Sequence, residues 1–191
     1  MKVKAIVLTL ILASLLLAGC GGKNDNKDGT SGTPTPTTNP GDGTDAVTTA
    51  SIVNTANNFE GAISSNGTWI ICLQNDLSID KDLILTGEFT NGKKDDAGKD
   101  IIQRKIALYT QDADRNITNR FTLTVPKLTI ESPNASIQHG TFVGDLYVNV
   151  PNFQLIDAKV EGNVYFKDAG AQSTFTMDET SSITGKQELQ Q

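Results

Sequence analysis

Three stretches in the second half of this 191-residue chain repeat one pattern of apolar residues, and this repetition most strongly constrains the fold. The three copies are KLTIESPNASI (127–137), NFQLIDAKV (152–160) and STFTMDETSSI (173–183). Each contains an alternating apolar pair, then polar residues, then one more apolar residue. The pairs begin at Leu128, Phe153 and Phe175, which gives a period of about 22 residues. Units this short cannot bury an apolar face alone and are typical of stacked repeats.

A second element follows each copy and supports the repetition. It reads VGDLYV (143–148), EGNVYF (161–166) and TGKQEL (184–189). The aligned glycines are Gly144, Gly162 and Gly185, at steps of 18 and then 23. The third copy has fewer apolar residues, as is usual for a terminal repeat. The alternation in the first two copies indicates strands with one buried face.

Short apolar stretches such as TWIICL and DLILTGEF continue this alternation through the chain after residue 67. Many short strands at short spacing indicate a sandwich, a barrel or a stacked array. Three short strands in a period near this length resemble one coil of a right-handed parallel β-helix. FEGAISSNGTWIICLQNDLSIDKDLILTG resembles the opening of the pectate-lyase-like β-helix proteins. In that family a short helix covers the first coil.

The resemblance implies an all-β fold in one domain at 46–191: a short right-handed parallel β-helix with an N-terminal capping helix. A β-sandwich is the alternative. Ile52, Ala56, Phe59 and Ile63 fall on one helical face and predict the capping helix.

Within such a stack, one set of apolar residues is expected to face the core. These residues are Leu128, Ile130, Leu146, Val148, Leu155, Val164 and Phe166. The polar segments GKKDDAGKD (92–100) and QDADRN (111–116) interrupt the apolar pattern and are expected to be loops that protrude from it.

The N-terminus predicts where the protein resides. Lys2 and Lys4 precede an apolar run at 5–18, which is too short to span a bilayer and is typical of a signal peptide. The sequence LAGC at 17–20 resembles the lipobox of bacterial lipoproteins. The resemblance implies that residues 1–19 are removed and that Cys20 carries a diacylglyceryl group, with acyl chains such as palmitate. Two chains anchor a protein stably. We therefore expect an extracytoplasmic domain, anchored to the cell membrane or the outer membrane.

Residues 20–45 are rich in Gly, Thr, Pro and Asn and, beyond Cys20, contain no large apolar side chain. Such a segment cannot bury enough apolar surface to fold, so a disordered tether is predicted. Removal of Lys2 and Lys4 from the 16 basic residues leaves 14 against 22 acidic residues, a formal charge of −8. Because nucleic-acid binding depends on basic residues that neutralise phosphates, no nucleic-acid partner is expected.

Few residues indicate catalysis. His139 is the only histidine, and its SIQHGT context predicts a solvated turn. Cys72 lies in the apolar WIICL stretch and is expected to be a buried thiol. The segment starting at Asp112 resembles a calcium loop only at its beginning, since Ile117 and Leu123 occupy the Gly and Glu positions.

Two polar groups are candidates for a lyase-type calcium site. One is Asp76, Asp80 and Asp82; the other is the column formed by Asp145, Asn163 and Lys186 in successive repeats. Neither group fixes a ligand set, so no catalytic residue, metal or cofactor is predicted. A small polysaccharide lyase or glycosidase of the β-helix type stays an alternative function.

Tyr147 and Tyr165 occupy the same position in successive repeats, and alternation directs both away from the core. They are the candidate ligand-binding residues, as a ladder for sugar rings of the cell wall, or else a stabilising cross-strand pair without a ligand. The predicted function is a lipid-anchored cell-envelope module, non-catalytic, that binds wall polysaccharide or acts as a scaffold.

A self-assembling structural β-helix is the second alternative. VGDLYV and VEGNVYF resemble the repeats of the polymer-forming bactofilins, whose coils are shorter and match only the step from Gly144 to Gly162. The capping helix would block one end of a stack, and Lys186 and Glu188 place charge at the other. We therefore expect a monomer or an end-to-end dimer through the C-terminal end.

Overall fold

The computed structural model describes residues 50–190 of the chain. The predicted signal peptide at 1–19, the predicted lipidation site Cys20, the predicted tether at 20–45 and the predicted start of the domain at 46 lie outside these residues. The statements that follow concern the described part of the chain.

Strands make up about half of the described chain, and two short helices interrupt them. In chain order the elements are β1 (Ser51–Val53), α1 (Ala56–Ile63), β2 (Ile70–Leu73), β3 (Leu77–Ser78), β4 (Leu83–Leu85), β5 (Thr90–Lys94), β6 (Asp100–Ile102), β7 (Arg104–Ala107), β8 (Tyr109–Gln111), β9 (Ile117–Arg120), β10 (Thr122–Ile130), β11 (Ala135–Gln138), β12 (Thr141–Val148), β13 (Gln154–Ile156), β14 (Lys159–Glu161), β15 (Val164–Phe166), α2 (Ala169–Thr174), β16 (Thr176–Met177), β17 (Ser182–Ile183) and β18 (Gln187–Leu189). This content confirms the all-β prediction.

Two parallel sheets organise these strands. One has six strands in the order β1-β2-β7-β11-β13-β16. The other has eight: β17-β14-β12-β10-β3 form one path, β15 and β18 continue from β12, and β4 pairs with β10. Successive units of the chain contribute first to the six-stranded sheet and then to the eight-stranded sheet. The long strands β10 and β12 each span two strand positions of the larger sheet.

The strand register corrects the predicted period. Leu128 pairs with Leu146, Leu146 with Val164, and Val164 with Gln187. The first two steps are 18 positions each, as is the step from Asp145 to Asn163. The third step is 23 positions, as is the step from Asn163 to Lys186. The basic unit is therefore shorter than predicted, and the last unit is longer because it contains α2. The predicted alignment of Leu128 with Phe153 was wrong. Alternating apolar pairs occur in strands of both sheets, and Leu128 belongs to the eight-stranded sheet whereas Phe153 directly precedes β13 of the six-stranded sheet.

The core prediction is confirmed in the second half of the chain. The seven residues expected to face inward are all buried, with at most 1% of the surface of any one exposed. Six of them stack in two columns along the eight-stranded sheet, and Leu155 stacks on Ile137 in the six-stranded sheet. Period-two alternation therefore identified the buried face correctly, although the spacing between units was misjudged.

The predicted helix exists but begins later than expected. Ile52 belongs to β1, which pairs with β2, and 63% of its surface is exposed. The side chain of Thr55 caps α1 by accepting a hydrogen bond from the Asn58 N–H at 3.3 Å, so the helix cannot extend back to Ile52. Phe59 and Ile63 are buried in the common core as predicted.

The predicted loops are present at 95–99 and 112–116, where they connect the strands of two antiparallel hairpins, β5–β6 and β8–β9. In each turn an aspartate accepts hydrogen bonds from backbone N–H groups further along. Asp95 accepts from Ala97 and Lys99, and Asp112 accepts from Asp114 and Asn116. Only the turns are loops, because the flanking residues complete backbone ladders.

Three bends recur in successive units of the second half. The residues there have positive φ angles and form three equally spaced pairs: Asn134 and Asn152, His139 and Asp157, Gly144 and Gly162. Left-handed backbone is uncommon outside glycine, and asparagine and aspartate adopt it most readily. The repeated bends stack side chains of successive units at fixed corners, and these corners position the candidate sites.

Candidate functional site

Tyr147 and Tyr165 lie side by side on the outer surface of the eight-stranded sheet. They are paired in register on β12 and β15, and their ring centroids are 4.8 Å apart with planes tilted by 36°. Both side chains are half-buried. The predicted contact between the two rings is therefore observed.

Lys127 occupies one side of this pair. Its Nζ lies 4.2 Å from the centroid of the Tyr147 ring, a cation–π distance. Because Lys127 comes from β10 and Tyr165 from β15, on opposite sides of β12, the Tyr147 ring lies between them. On its other side Tyr165 is paired in register with Glu188 of β18, so an acidic side chain and not another aromatic ring borders it there.

Polar groups border the tyrosines. Asp145 Oδ1 accepts hydrogen bonds from the Asn163 N–H at 2.9 Å and from Asn163 Nδ2 at 3.0 Å. Asn163 Oδ1 in turn accepts from the Lys186 N–H at 2.9 Å. The column that was a candidate for calcium is thus a hydrogen-bond ladder at the glycine corner. Desolvation and then the Asp145 charge raise the pKa of the Tyr165 hydroxyl above its ordinary value.

His139 lies at a turn, as predicted, but it is held in place rather than solvated. Its Nδ1 is 3.0 Å from Asp157 Oδ2, and its ring packs edge-on against Tyr109 with a centroid distance of 4.5 Å. Arg120 also donates to the Asp157 carboxylate. The hydrogen bond from His139, followed by that from Arg120, lowers the pKa of Asp157. This corner links the β8–β9 hairpin to two successive units.

Cys72 is half-buried and not fully buried as expected. Ile71 and Leu73 take the inward positions of β2, so alternation turns Cys72 outward. Burial is still sufficient to raise the pKa of its thiol, with Lys105 opposing the shift. A protonated thiol is a poor nucleophile.

Arg104 is a buried residue that the sequence analysis missed. Its Nη1 donates to the Thr86 carbonyl at 2.6 Å, and its Nη2 donates to the carbonyls of Ala62 and Ser64 at 2.5 and 3.0 Å. The guanidinium carbon lies 4.0 Å from the centroid of the Phe89 ring. Burial lowers the pKa of Arg104 to about 10, so it stays charged at neutral pH. Its position two residues before inward Ile106 was the available signal.

An uncharged cleft of about 410 Å³ lies against the outer side of the six-stranded sheet. Its walls include the amides of Gln103, Asn152 and Gln154 and the hydroxyls of Thr174 and Thr176. Such groups can hydrogen-bond sugar hydroxyls, and no sequence pattern singled them out.

Within residues 50–190 no group of three His, Cys, Asp or Glu side chains is arranged to hold a metal ion. Asp76 instead accepts a hydrogen bond from the Thr122 N–H at 2.7 Å. No helix of this part of the chain is long and apolar enough to cross a membrane. No family model matches the chain, and no curated protein or solved structure matches it either.

Proposed function

We propose that this protein is an exported lipoprotein of the bacterial cell envelope whose folded domain binds wall polysaccharide without catalysing a reaction. The lipobox-like LAGC at 17–20 supports export and anchoring to a membrane. Cys20 would carry the lipid on the cell membrane or the outer membrane, and residues 21–45 would tether the domain. Two acyl chains make such an anchor nearly permanent.

Mass spectrometry of the mature N-terminus tests the proposed cleavage and lipid anchor. The expected mature chain begins at Cys20 with a diacylglyceryl group, and Cys20→Ser releases the protein from the membrane fraction. An unmodified Cys20, or a mature chain that begins elsewhere, would overturn the anchor.

The strands form, in this proposal, a short right-handed parallel β-helix with α1 covering its first coil. Two observations support it. Each unit of the second half visits both sheets and pairs in parallel with the next unit, and parallel crossovers are right-handed in nearly all proteins. A β-sandwich is built from antiparallel sheets, whereas both large sheets here pair in parallel.

The binding proposal depends on one observation, the outward pair Tyr147–Tyr165. An aromatic face binds the C–H groups of a sugar ring, and polar neighbours bind its hydroxyls. Tyr165 would supply the face, while Lys127 and Tyr147 support it from one side. Because the exported chain has a formal charge of −8, a neutral glycan strand fits better than an anionic polymer.

Cosedimentation of the detergent-solubilised lipoprotein with purified wall tests the site. Tyr165→Ala is expected to weaken wall binding at least about threefold, since aromatic contacts contribute roughly 0.5–1.5 kcal/mol beyond burial. Tyr165→Phe should retain most binding. The matched control is Tyr109→Ala, which removes the same side chain from the His139 corner.

Three results would contradict the proposal. Equal loss in Tyr165→Ala and Tyr109→Ala would indicate a general defect. Loss only in Gln154→Ala would move the site to the uncharged cleft. Release of soluble oligosaccharides from the wall would favour the lyase or glycosidase alternative.

A further inference from the structure

The last three strands of the described chain form an edge that is paired on one side. β16 pairs only with β13, β17 only with β14 and β18 only with β15 among the described strands. We call these three strands the terminal edge. Backbone N–H and C=O groups on such an edge are available to pair with another strand.

Apolar columns of the core also end at the terminal edge. Met177 continues the column of buried Leu155, and Leu189 continues that of buried Phe166. Yet 39% of Met177 and 44% of Leu189 is exposed, although both lie at positions that are buried in the preceding units. A covering layer on this edge would therefore remove apolar surface from water.

The sequence of β18 is complementary to a reversed copy of itself. If two β18 strands run antiparallel with Gln187 opposite Gln187, Lys186 of each strand lies opposite Glu188 of the other. Leu189 is at an inward position of β18. Because successive side chains of a strand point to opposite faces, Lys186 and Glu188 project to the outer face. Within one chain their Nζ and Oε1 atoms are 3.3 Å apart and well exposed, so the pairs can exchange between copies.

We propose that the terminal edge is a homodimer interface, occupied by the terminal edge of a second copy related by a two-fold axis. Such an axis makes equivalent strands antiparallel, which is the arrangement that the Lys186-Gln187-Glu188 sequence favours. Opposite charges directly across an antiparallel pair stabilise it, whereas like charges destabilise it. The interface closes the apolar columns and pairs the terminal edges of both copies with each other, so this interface joins only two copies.

Sedimentation equilibrium of the full lipoprotein in detergent tests the interface. The wild type is expected to dimerise reversibly. Lys186→Glu places like charges across both pairs and should raise the dissociation constant about tenfold or more. The reversed protein Lys186→Glu/Glu188→Lys is again self-complementary and should dimerise like the wild type. Lys99→Glu, an equal charge change in the β5–β6 turn, is the matched control and should have no effect.

A disulfide test fixes the register. With Cys72 replaced by Ser, Gln187→Cys should form an intermolecular disulfide on mild oxidation, whereas Gln172→Cys in α2 should not. A monomeric wild type, unchanged association of Lys186→Glu, failure of the double reversal to restore dimers, or growth beyond a dimer would each overturn the proposal. Tyr147 lies on β12, which does not pair with β18, so Tyr147→Ala should leave dimerisation intact and the outcome is separable from wall binding.

Discussion

Within residues 50–190, Arg104 is the only charged side chain that is buried. It donates to carbonyls at the end of α1 and beyond β4, so one side chain joins the helix to the sheets. Sequence composition gives no reason to place arginine in a core, because buried arginine is rare. Strand alternation alone predicts the inward direction of Arg104, and the carbonyls that receive it belong to distant parts of the chain, before β2 and after β4.

Replacing Arg104 should therefore destabilise the domain. Arg104→Met keeps most of the volume but leaves three carbonyls without their donor, and we expect a loss of about 2–4 kcal/mol in the free energy of unfolding. Arg104→Lys keeps a charge but has only one nitrogen from which to donate. Its free energy of unfolding should lie between those of Arg104→Met and the wild type. Urea titration measures all three proteins. Equal midpoints for the wild type and Arg104→Met would show that the hydrogen bonds do not stabilise the fold.

Asp178 gives the clearest pH dependence. Hydrogen bonds from the Ser181 side chain and then from the Asp157 N–H lower its pKa to about 2. Since the folded pKa lies below the unfolded value of about 3.9, this carboxylate stabilises the fold above about pH 4, and the contribution is lost as pH falls from about 4 towards 2. Asp157 has a lowered pKa and acts in the same direction.

Asp178→Asn should be less stable than the wild type at pH 5, and the difference should shrink as the pH approaches 2. Thermal unfolding at pH 5, 3 and 2 measures it. A difference independent of pH would mean that the side chain acts through shape and not through its charge.

At the scale of elements, the corners were harder to predict than the strands. Alternation located the strands and their buried faces, but the positive φ angles at Asn134, His139 and Asp157 have no apolar signature. The true length of a unit was visible only in the step from Gly144 to Gly162. The last unit is longer because it contains α2. Its extra length made the predicted period longer than the step from Gly144 to Gly162.

Gly162 tests the role of the corners. A Cβ at this position would lie 1.9 Å from the Gly144 carbonyl oxygen, which is too close for any side chain. Gly162→Ala is expected to cost more than about 2 kcal/mol of stability, since backbone strain belongs to the severe class of substitutions. Gly61→Ala in α1 has open space around it and should be neutral or stabilise by up to about 1 kcal/mol. Equal effects in calorimetry would contradict the close packing of the corners.

For the whole molecule, the sequence predicted one all-β domain and misjudged its regularity. Repeats were detectable only after residue 127, because the hairpins β5–β6 and β8–β9 enlarge the earlier units. Ile71 pairs with Ile106, and Ile106 with Ile137, so these two steps are nearly twice as long as the step from Leu128 to Leu146. An apolar pattern spread over such steps is not recognisable as a repeat, although the strands still pair in register.

This uneven spacing also affects the order in which the strands pair during folding. Leu128 meets Leu146 across one short unit, whereas Leu83 meets Leu128 only across both hairpins, a loop about two and a half times as long. The free-energy cost of loop closure grows as (3/2)RT ln n. The longer closure therefore costs about 0.8 kcal/mol more, which corresponds to a roughly fourfold slower rate of closure. Isolated hairpins are too weak to shorten that path early. We therefore expect the plain units of the second half to pair before the strands that both hairpins separate, so that β4, although translated first, joins a sheet that is formed after it.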